Sequence, residues 1–231
     1  HAHLVLIRGD RQASRSRGSV KTINPEINYT GVDGSPQTAK ATSLMSGRDV
    51  SLHMYPDMVK VGGEEISERM LGVLLTTLIA TSHDKGSDAR GPNSKKGYVY
   101  QVTPKLQTAE EVGEQVRLFE AVETRLGLDK NTMLIGIMNE ELGMTLQLSE
   151  SLRAAQSRIF FTNTGFLDRT GSQIRVQTQA GPVDLRDDLT RSVFNISYEL
   201  HNVDVSLRAG VHRQGKIGKG MQVRNRAMVE M

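Results

Sequence analysis

Two short apolar runs, each followed by a carboxylate, are the most informative feature of this chain. Residues 133–138 are followed by Glu140, and residues 159–162 are followed by Asp168. A helical segment separates the runs, so we predict two successive parallel strands whose carboxyl ends meet at one edge of a sheet. Neighbouring strands lie about 4.8 Å apart, so the two carboxylates could share one hard cation such as Mg²⁺. Glu141 is an alternative ligand by adjacency, and ordinary solvated loop acids are the alternative interpretation.

Two further positions could serve the same edge of the sheet. Gly165 lies between the second run and Asp168, and glycine lets the backbone approach a ligand closely, so free N–H groups of this turn could hold a carboxylate. Arg48 ends an earlier predicted strand, where a guanidinium could stabilise an oxyanion or bind a carboxylate. A simple strand-end turn and an ordinary surface arginine are the alternatives for these positions.

Strands and helices that alternate along the chain must position these residues. Short apolar or alternating runs predict strands at residues 43–48, 98–102, 133–138, 159–162 and 203–210. Apolar residues at helical spacing predict helices around residues 66–80, 112–126, 148–155 and 185–200, the second with Thr108 and Glu111 as a capping box and Gly127 as its stop. Repeated strand–helix units predict an α/β protein with a parallel sheet and helical crossovers. The pattern alone does not separate a barrel from an open sheet.

Composition excludes several kinds of protein. The 231 residues carry a net charge of +3 and contain no cysteine, which excludes disulfides, thiol catalysis and cysteine metal sites and fits a reducing cytoplasm. No apolar run reaches the roughly 20 residues of a membrane helix, and no signal peptide is visible, so we expect no membrane partner. The basic residues near the N-terminus resemble a solvated tail more than a nucleic-acid surface. Residues 1–40 are predicted to be an irregular arm, with a short strand at 3–7, that precedes the core at 41–231.

Several motifs resemble those of the malate synthase family, in its long monomeric G isoform. They are Gly-Ile-Met-Asn-Glu-Glu at 136–141, Asn-Thr-Gly-Phe-Leu-Asp-Arg-Thr-Gly at 163–171, Ala-Gly-Pro at 180–182 and Ile-Gly-Lys-Gly-Met at 217–221. The resemblance runs in order from about residue 24 to residue 231. It implies a TIM-barrel core, of which this chain would hold an incomplete part.

The resemblance also implies a reaction and a set of site residues. The family condenses acetyl-CoA with glyoxylate and water to give malate and CoA, and it uses Mg²⁺. By resemblance, Glu140 and Asp168 would bind Mg²⁺, and Arg48 would match the arginine that stabilises the acetyl-CoA enolate. The backbone amides of Gly165, Phe166 and Leu167 would hold the glyoxylate carboxylate.

Departures from the family pattern keep alternatives open. The family's aspartate base comes from a region beyond the last matched motif, and we expect no candidate for it within this chain. Around Arg48 the chain reads Ser-Gly-Arg-Asp-Val-Ser-Leu, unlike the usual family sequence. One alternative is a non-catalytic, truncated homologue that binds a metal or a partner chain, and another is an acyl-CoA lyase similar to citrate lyase β subunits. Unpaired sheet edges in an incomplete barrel predict either a missing C-terminal portion or a partner chain.

Overall fold

The computed structural model describes residues 12–14, 20–22, 27–39, 46–48, 52–84, 94 and 96–219. The chain divides into two compact units, one of residues 1–46 and 75–99 and the other of residues 47–74 and 100–231. In the described part of the chain, no helix is long and apolar enough to cross a membrane. The strand predicted at 3–7 lies outside the described residues.

The first unit contains two antiparallel hairpins. Strand β1 (Gln12–Ser14) pairs with β2 (Val20–Thr22), and β3 (Ile27–Thr30) pairs with β4 (Pro36–Ala39). The second hairpin turns through Gly34, whose φ of 80° favours glycine. These hairpins correct the prediction of an irregular arm, because backbone pairing across short polar strands leaves little apolar periodicity to detect. The boundary at residue 40 stays a prediction.

The second unit is built on a sheet whose strand order is β11-β10-β9-β8-β5. Its members are β5 (Ser46–Arg48), β8 (Val99–Thr103), β9 (Met133–Asn139), β10 (Ile159–Thr164) and β11 (Lys216–Ile217). A small antiparallel hairpin, β6 (Lys60–Val61) with β7 (Glu64–Glu65), lies outside this sheet. The order follows the sequence from one edge to the other, as successive right-handed strand–helix units produce.

Strands β9 and β10 form the centre of this sheet. They pair in parallel, and β10 pairs in parallel with β11. Six of the seven residues of β9 are buried, as expected for a strand covered on both faces. The register sets Thr164 opposite Asn139, so both strands end at the same edge of the sheet.

Helices connect the strands and close the core. They are α1 (Glu68–Asp84), α2 (Ala109–Leu126), α3 (Leu142–Leu146), α4 (Leu148–Ala154), α5 (Phe166–Gln177), α6 (Arg186–Leu189) and α7 (Val193–Arg208). Helix α2 begins as predicted at Thr108, whose side chain accepts from the N–H of Glu111, and ends at Gly127 in the left-handed conformation. The carboxylate of Glu111 accepts from the N–H of Gln107 rather than from Thr108, so the capping box is only half formed.

The region after residue 185 differs from the sequence prediction. One helix was expected at 185–200 and a strand at 203–210, but the structure has two helices, α6 and α7, and the strand prediction is wrong. Ser192 caps α7 by accepting from the N–H of Asn195, which separates it from α6. The alternating residues Val203 and Val205 are typical of a strand, yet both lie in α7. The buried residues of this helix are mostly polar and recur at helical spacing. They are Asn195, Tyr198, Glu199, Asn202 and Ser206.

Candidate active site

Glu140 and Asp168 lie at the same edge of the sheet, as the sequence predicts. Glu140 follows directly after β9, and Asp168 lies in the first turn of α5, which begins two residues after the end of β10. The parallel register brings these strand ends side by side. Their placement fits a shared ligand, while their role as ligands stays a prediction.

Lys105 lies between these acids, and sequence reasoning missed it. Its Nζ lies 2.7 Å from Oδ1 of Asp168, 3.0 Å from Oε1 of Glu141 and 3.7 Å from Oε1 of Glu140. Burial by itself lowers the pKa of Lys105, but hydrogen bonds to Asp168 and Glu141 outweigh it and leave that pKa above its ordinary value. Its position two residues after β8 was the available signal, because this is a third strand end at the same edge.

Glu140 has one satisfied and one unsatisfied carboxylate oxygen. The residue is 1% exposed, and its Oε1 accepts from the backbone N–H of Lys105 at 3.0 Å. Its Oε2 is buried and has no hydrogen-bond partner. Burial raises the pKa of Glu140, against the opposing effect of the Lys105 charge. A buried carboxylate oxygen without a donor is a suitable ligand for a hard cation.

Position 165 requires glycine because a side chain there would collide with Glu140. Its backbone is extended, with φ of −127°, so its conformation does not demand glycine. A Cβ at this position would lie 2.9 Å from Oε2 of Glu140 and 3.7 Å from Oδ2 of Asp168. The two carboxylates therefore converge on the backbone of Gly165.

The three residues predicted to hold a substrate carboxylate form the start of α5. The N–H of Gly165 donates to the hydroxyl of Tyr198 at 3.0 Å, so this amide already has a partner. Phe166 is buried in an apolar cluster with Leu189 and Tyr198, and Leu167 is 37% exposed. The first turn of a helix carries N–H groups without intrahelical acceptors, which suits an anion, although the carboxylate-binding role stays a prediction.

A hydrogen-bond and ring-stacking network around Tyr198 holds this turn, and no sequence pattern indicated it. The Tyr198 hydroxyl donates to the carbonyl oxygen of Asn139, the last residue of β9. Its ring stacks on Phe194, and the Arg169 guanidinium lies 5.4 Å from the Phe194 centroid and 5.7 Å from that of Tyr198. Burial raises the pKa of Tyr198. The Nε of Arg169 donates to the Thr145 hydroxyl at 2.8 Å, and that hydroxyl donates to the side chain of Asn139. These contacts connect α5 and α7 to the end of β9.

Arg48 is the last residue of β5, at the edge of the sheet next to β8. Its side chain is exposed. Burial raises the pKa of Glu140, and the Arg48 charge is one of the weaker influences that lower it. The charge of Arg48 thus has only a weak effect on Glu140, and the catalytic role of Arg48 stays a prediction.

The described residues hold no cluster of three or more His, Asp or Glu side chains arranged to bind a metal ion. The acids that converge here are Glu140 and Asp168, with Glu141 beside them, and Lys105 lies among them. Mg²⁺ commonly binds through one or two carboxylates and keeps several waters, so a pair of acids meets its needs.

The fold and the site together define a class of protein. Parallel strands joined by helices, with polar residues gathered at the carboxyl ends of the strands, define an α/β protein and occur both in TIM barrels and in open sheets. Residues 44–231 match the TIM barrel domain of malate synthase. The chain belongs to the malate synthase family, which confirms the resemblance and the TIM-barrel fold class.

Two curated relatives cover nearly all of this chain. Malate synthase G of Halalkalibacterium halodurans is 37% identical, over 99% of this chain and 32% of that protein. Malate synthase G of Corynebacterium glutamicum is 32% identical, over 96% of this chain and 30% of that protein. The chain therefore spans about a third of the length of these relatives.

Solved structures also resemble this chain. Malate synthase of Haloferax volcanii, in a pyruvate/acetyl-CoA ternary complex, has a TM-score of 0.44 and 17% identity over 67% of this chain and 37% of that chain. A citrate lyase of Burkholderia xenovorans has a TM-score of 0.43 and 15% identity over 73% of this chain and 56% of that chain. At such low TM-scores these likenesses carry no weight, and the family assignment depends on the sequence matches.

Proposed function

We propose that this chain carries the Mg²⁺ and glyoxylate site of a malate synthase, which condenses acetyl-CoA with glyoxylate and water to give malate and CoA. The observation that carries the proposal is the convergence of Glu140 and Asp168 beside Gly165, with Oε2 of Glu140 buried and without a partner. Family membership supports the reaction class, because residues 44–231 match the malate synthase TIM barrel domain. The motif residues Glu140 and Gly165 to Asp168 lie at this edge of the sheet. The cytoplasm is the compartment we propose, and a chain without cysteine is compatible with it.

The residues of the site divide the work by their chemistry. Glu140 and Asp168 would hold Mg²⁺, which when bound supplies Lewis-acid polarisation of the glyoxylate carbonyl. The start of α5, at Gly165, Phe166 and Leu167, would orient the glyoxylate carboxylate through the helix dipole and backbone N–H groups, of which that of Gly165 would have to exchange its bond to Tyr198 for one to the ligand. Arg48 would stabilise the negative charge that develops on the acetyl-CoA enolate oxygen. None of the described residues is assigned as the base that removes the methyl proton.

Calorimetric titration of the protein with Mg²⁺ and glyoxylate tests this proposal. We expect Asp168→Asn to weaken the binding of Mg²⁺ at least about tenfold, because a neutral amide is a poorer ligand for a hard cation. Asp129→Asn, an exposed acid in the turn before β9, is the matched control and should bind like the parent protein. Equal affinity in the parent protein and Asp168→Asn would contradict the proposal.

The exposed side of α7 supports a further part of the proposal, that other strand–helix units complete the barrel. Four apolar residues of α7 are exposed at intervals of three, four and seven residues, so they form one apolar stripe. They are Val193 (81% exposed), Ile196 (50%), Leu200 (61%) and Leu207 (47%). We propose that the occupant of this stripe is a helix from the portion of the relatives' barrel that this chain does not match. Co-expression with that portion of the Halalkalibacterium halodurans protein should give a complex, and Leu200→Glu should weaken it.

Turnover assays separate the proposed synthase from its alternatives. CoA release that depends on glyoxylate, and is lost in Asp168→Asn, supports the synthase. Metal binding without turnover, both alone and with the completing portion, favours a non-catalytic homologue. Cleavage of an acyl-CoA without glyoxylate-dependent condensation favours a lyase of the citrate lyase type.

A further inference from the structure

Lys105 places an ammonium group where three carboxylates meet. Its Nζ is within 4 Å of oxygens from Glu140, Glu141 and Asp168, which come from the end of β9 and the start of α5. Its own backbone is in the left-handed region, with φ of 61°, which is uncommon for lysine. The backbone N–H of Lys105 also donates to Oε1 of Glu140. The main chain and the side chain of one residue thus both contact the proposed metal ligands.

A divalent ion bound by Glu140 and Asp168 would lie close to this ammonium group. Two positive charges a few ångströms apart repel one another strongly at a partly buried site. The side chain of Lys105 is 31% exposed and that of Asp168 is 49% exposed, so the ammonium has a path into solvent. The short contact from Lys105 to Asp168 and a bond from Asp168 to a metal ion compete for the same carboxylate.

We infer that Lys105 is an internal competitor of the divalent cation, so that metal binding at this site is an exchange in which the ammonium leaves Asp168. This inference rests on the proposed function, because it assigns the same two carboxylates to the metal. It goes beyond that proposal by making Lys105 a residue that sets the metal affinity. It also implies that the carboxylates stay together, balanced by one positive charge, before the metal binds.

A structural role for Lys105 predicts the opposite effect of its removal. If the ammonium only held the three carboxylates in a productive arrangement, its loss would let them move apart by like-charge repulsion and would weaken metal binding. If the ammonium competes, its loss removes both the competitor and the repulsion, and metal binding becomes tighter. The direction of the change therefore decides between the two roles.

Calorimetric titration of the metal-free protein with Mn²⁺ or Mg²⁺ alone measures this direction. We expect Lys105→Met to bind the metal about tenfold more tightly or better than the parent protein. Lys105→Gln should act similarly, and Lys105→Arg, which keeps the charge, should not tighten binding. Lys130→Met removes an exposed lysine before β9 and is the matched control, with unchanged affinity.

Thermal unfolding gives a second readout that is independent of activity. The metal-free Lys105→Met protein should have a lower Tm than the parent, because three carboxylates lose their balancing charge. Saturating metal should raise the Tm of Lys105→Met by more than it raises the Tm of the parent protein. If Lys105→Met does not fold, Lys105→Gln decides the same question. Unchanged or weaker binding in these neutral variants, while the parent protein binds metal, would overturn this inference and leave the proposed function intact. Absence of binding in the parent and all variants would overturn the proposed function and the inference with it.

Discussion

Gly165 and Glu140 are so close that the glycine has no room for a side chain: a Cβ on Gly165 would lie 2.9 Å from Oε2 and 3.2 Å from Cβ of Glu140. The two residues follow neighbouring parallel strands, and the register of β9 and β10 fixes their separation. The buried carboxylate can therefore occupy its position only because glycine follows the end of β10. Space, rather than backbone conformation, explains the glycine, since its φ is that of an ordinary extended residue.

Substitution of Gly165 by alanine should therefore displace the Glu140 carboxylate. We expect Gly165→Ala to lower the free energy of unfolding by about 1–3 kcal/mol, the usual cost of overpacking, and to weaken metal binding. Gly171→Ala in the same helix is the control, because no atom lies within 4 Å of the Cβ it would add. Alanine inside a helix should be neutral or stabilising by up to about 1 kcal/mol. Urea denaturation and metal titration check both variants, and equal behaviour of the two would contradict the steric argument.

The raised pKa of Glu140 should appear in the pH dependence of stability of the metal-free protein. Burial raises this pKa above its ordinary value of 4.5, so between the two values the native state holds a proton that the unfolded state has lost. The free energy of unfolding should then fall as the pH rises through this window. Glu140→Gln cannot ionise, so it should flatten this part of the curve and be more stable than the parent above the window.

Urea denaturation from about pH 4 to about pH 8, with a chelator present, measures this dependence. Asp129→Asn is a suitable control, because Asp129 is exposed in the turn before β9, at the amino end of that strand. A parent protein whose stability rises with pH across this window, with no change on Glu140→Gln, would show that burial of this carboxylate is not the dominant effect.

Removal of the Tyr198 hydroxyl tests the support of the turn at Gly165. In Tyr198→Phe the N–H of Gly165 and the carbonyl of Asn139 lose the hydroxyl and keep only their hydrogen bond to each other, at 3.4 Å. We expect a loss of about 0.5–1.5 kcal/mol in the free energy of unfolding, the usual net contribution of a hydrogen bond. Glyoxylate binding should also weaken, because the start of α5 loses its anchor to α7.

Tyr55→Phe provides the comparison for Tyr198→Phe. Tyr55 is 58% exposed, so loss of its hydroxyl should change stability by less than about 0.5 kcal/mol. If both phenylalanine variants unfold at the same urea concentration as the parent protein, the hydroxyl of Tyr198 does not stabilise the turn.

The sequence predicted the main carboxylates of the site because strand ends are readable locally. Short apolar runs define β9 and β10, and acids that follow parallel strands share an edge, so periodicity predicted the common edge of Glu140 and Asp168, while their role as metal ligands stays a prediction. Lys105 could not be found in this way, because its contact with Asp168 spans 63 residues and depends on the order of strands in the sheet. Tyr198 was missed for a similar reason, since its partners lie on β9 and at the start of α5.

Helix α7 shows where hydrophobic periodicity misleads. The apolar residues at 193, 196 and 200 have helical spacing and predict the buried face, yet all three are exposed. The buried face is polar instead, and hydrogen bonds satisfy it in part, such as the bond from Asn139 to Asn202 at 3.1 Å. Periodicity indicated a helix here but gave it the wrong bounds, and it could not tell which side faces this chain, because the apolar stripe needs a neighbour that the sequence pattern does not specify.

The opposite end of the sheet holds a buried ion pair whose loss should affect stability and leave the candidate site intact. Arg158 and Glu123 are 1% and 3% exposed, and the guanidinium donates to both carboxylate oxygens, at 2.6 and 2.9 Å. Glu123 also accepts from the N–H of Met133, where β9 begins, so the pair joins α2 to the amino ends of β9 and β10. Arg158→Met should cost about 3–5 kcal/mol, because it leaves a buried carboxylate without its counter-charge.

Adding Glu123→Gln to Arg158→Met should recover part of that loss, since glutamine removes the unpaired charge and keeps an acceptor for Met133. Urea denaturation of the two single variants and the double variant gives the coupling free energy between the residues. Metal affinity should stay at the parent value in every folded variant, because the pair lies at the amino ends of the strands and the carboxylates of the site lie at their carboxyl ends. A double variant that is less stable than Arg158→Met would mean that the Glu123 carboxylate stabilises the strand ends without its arginine.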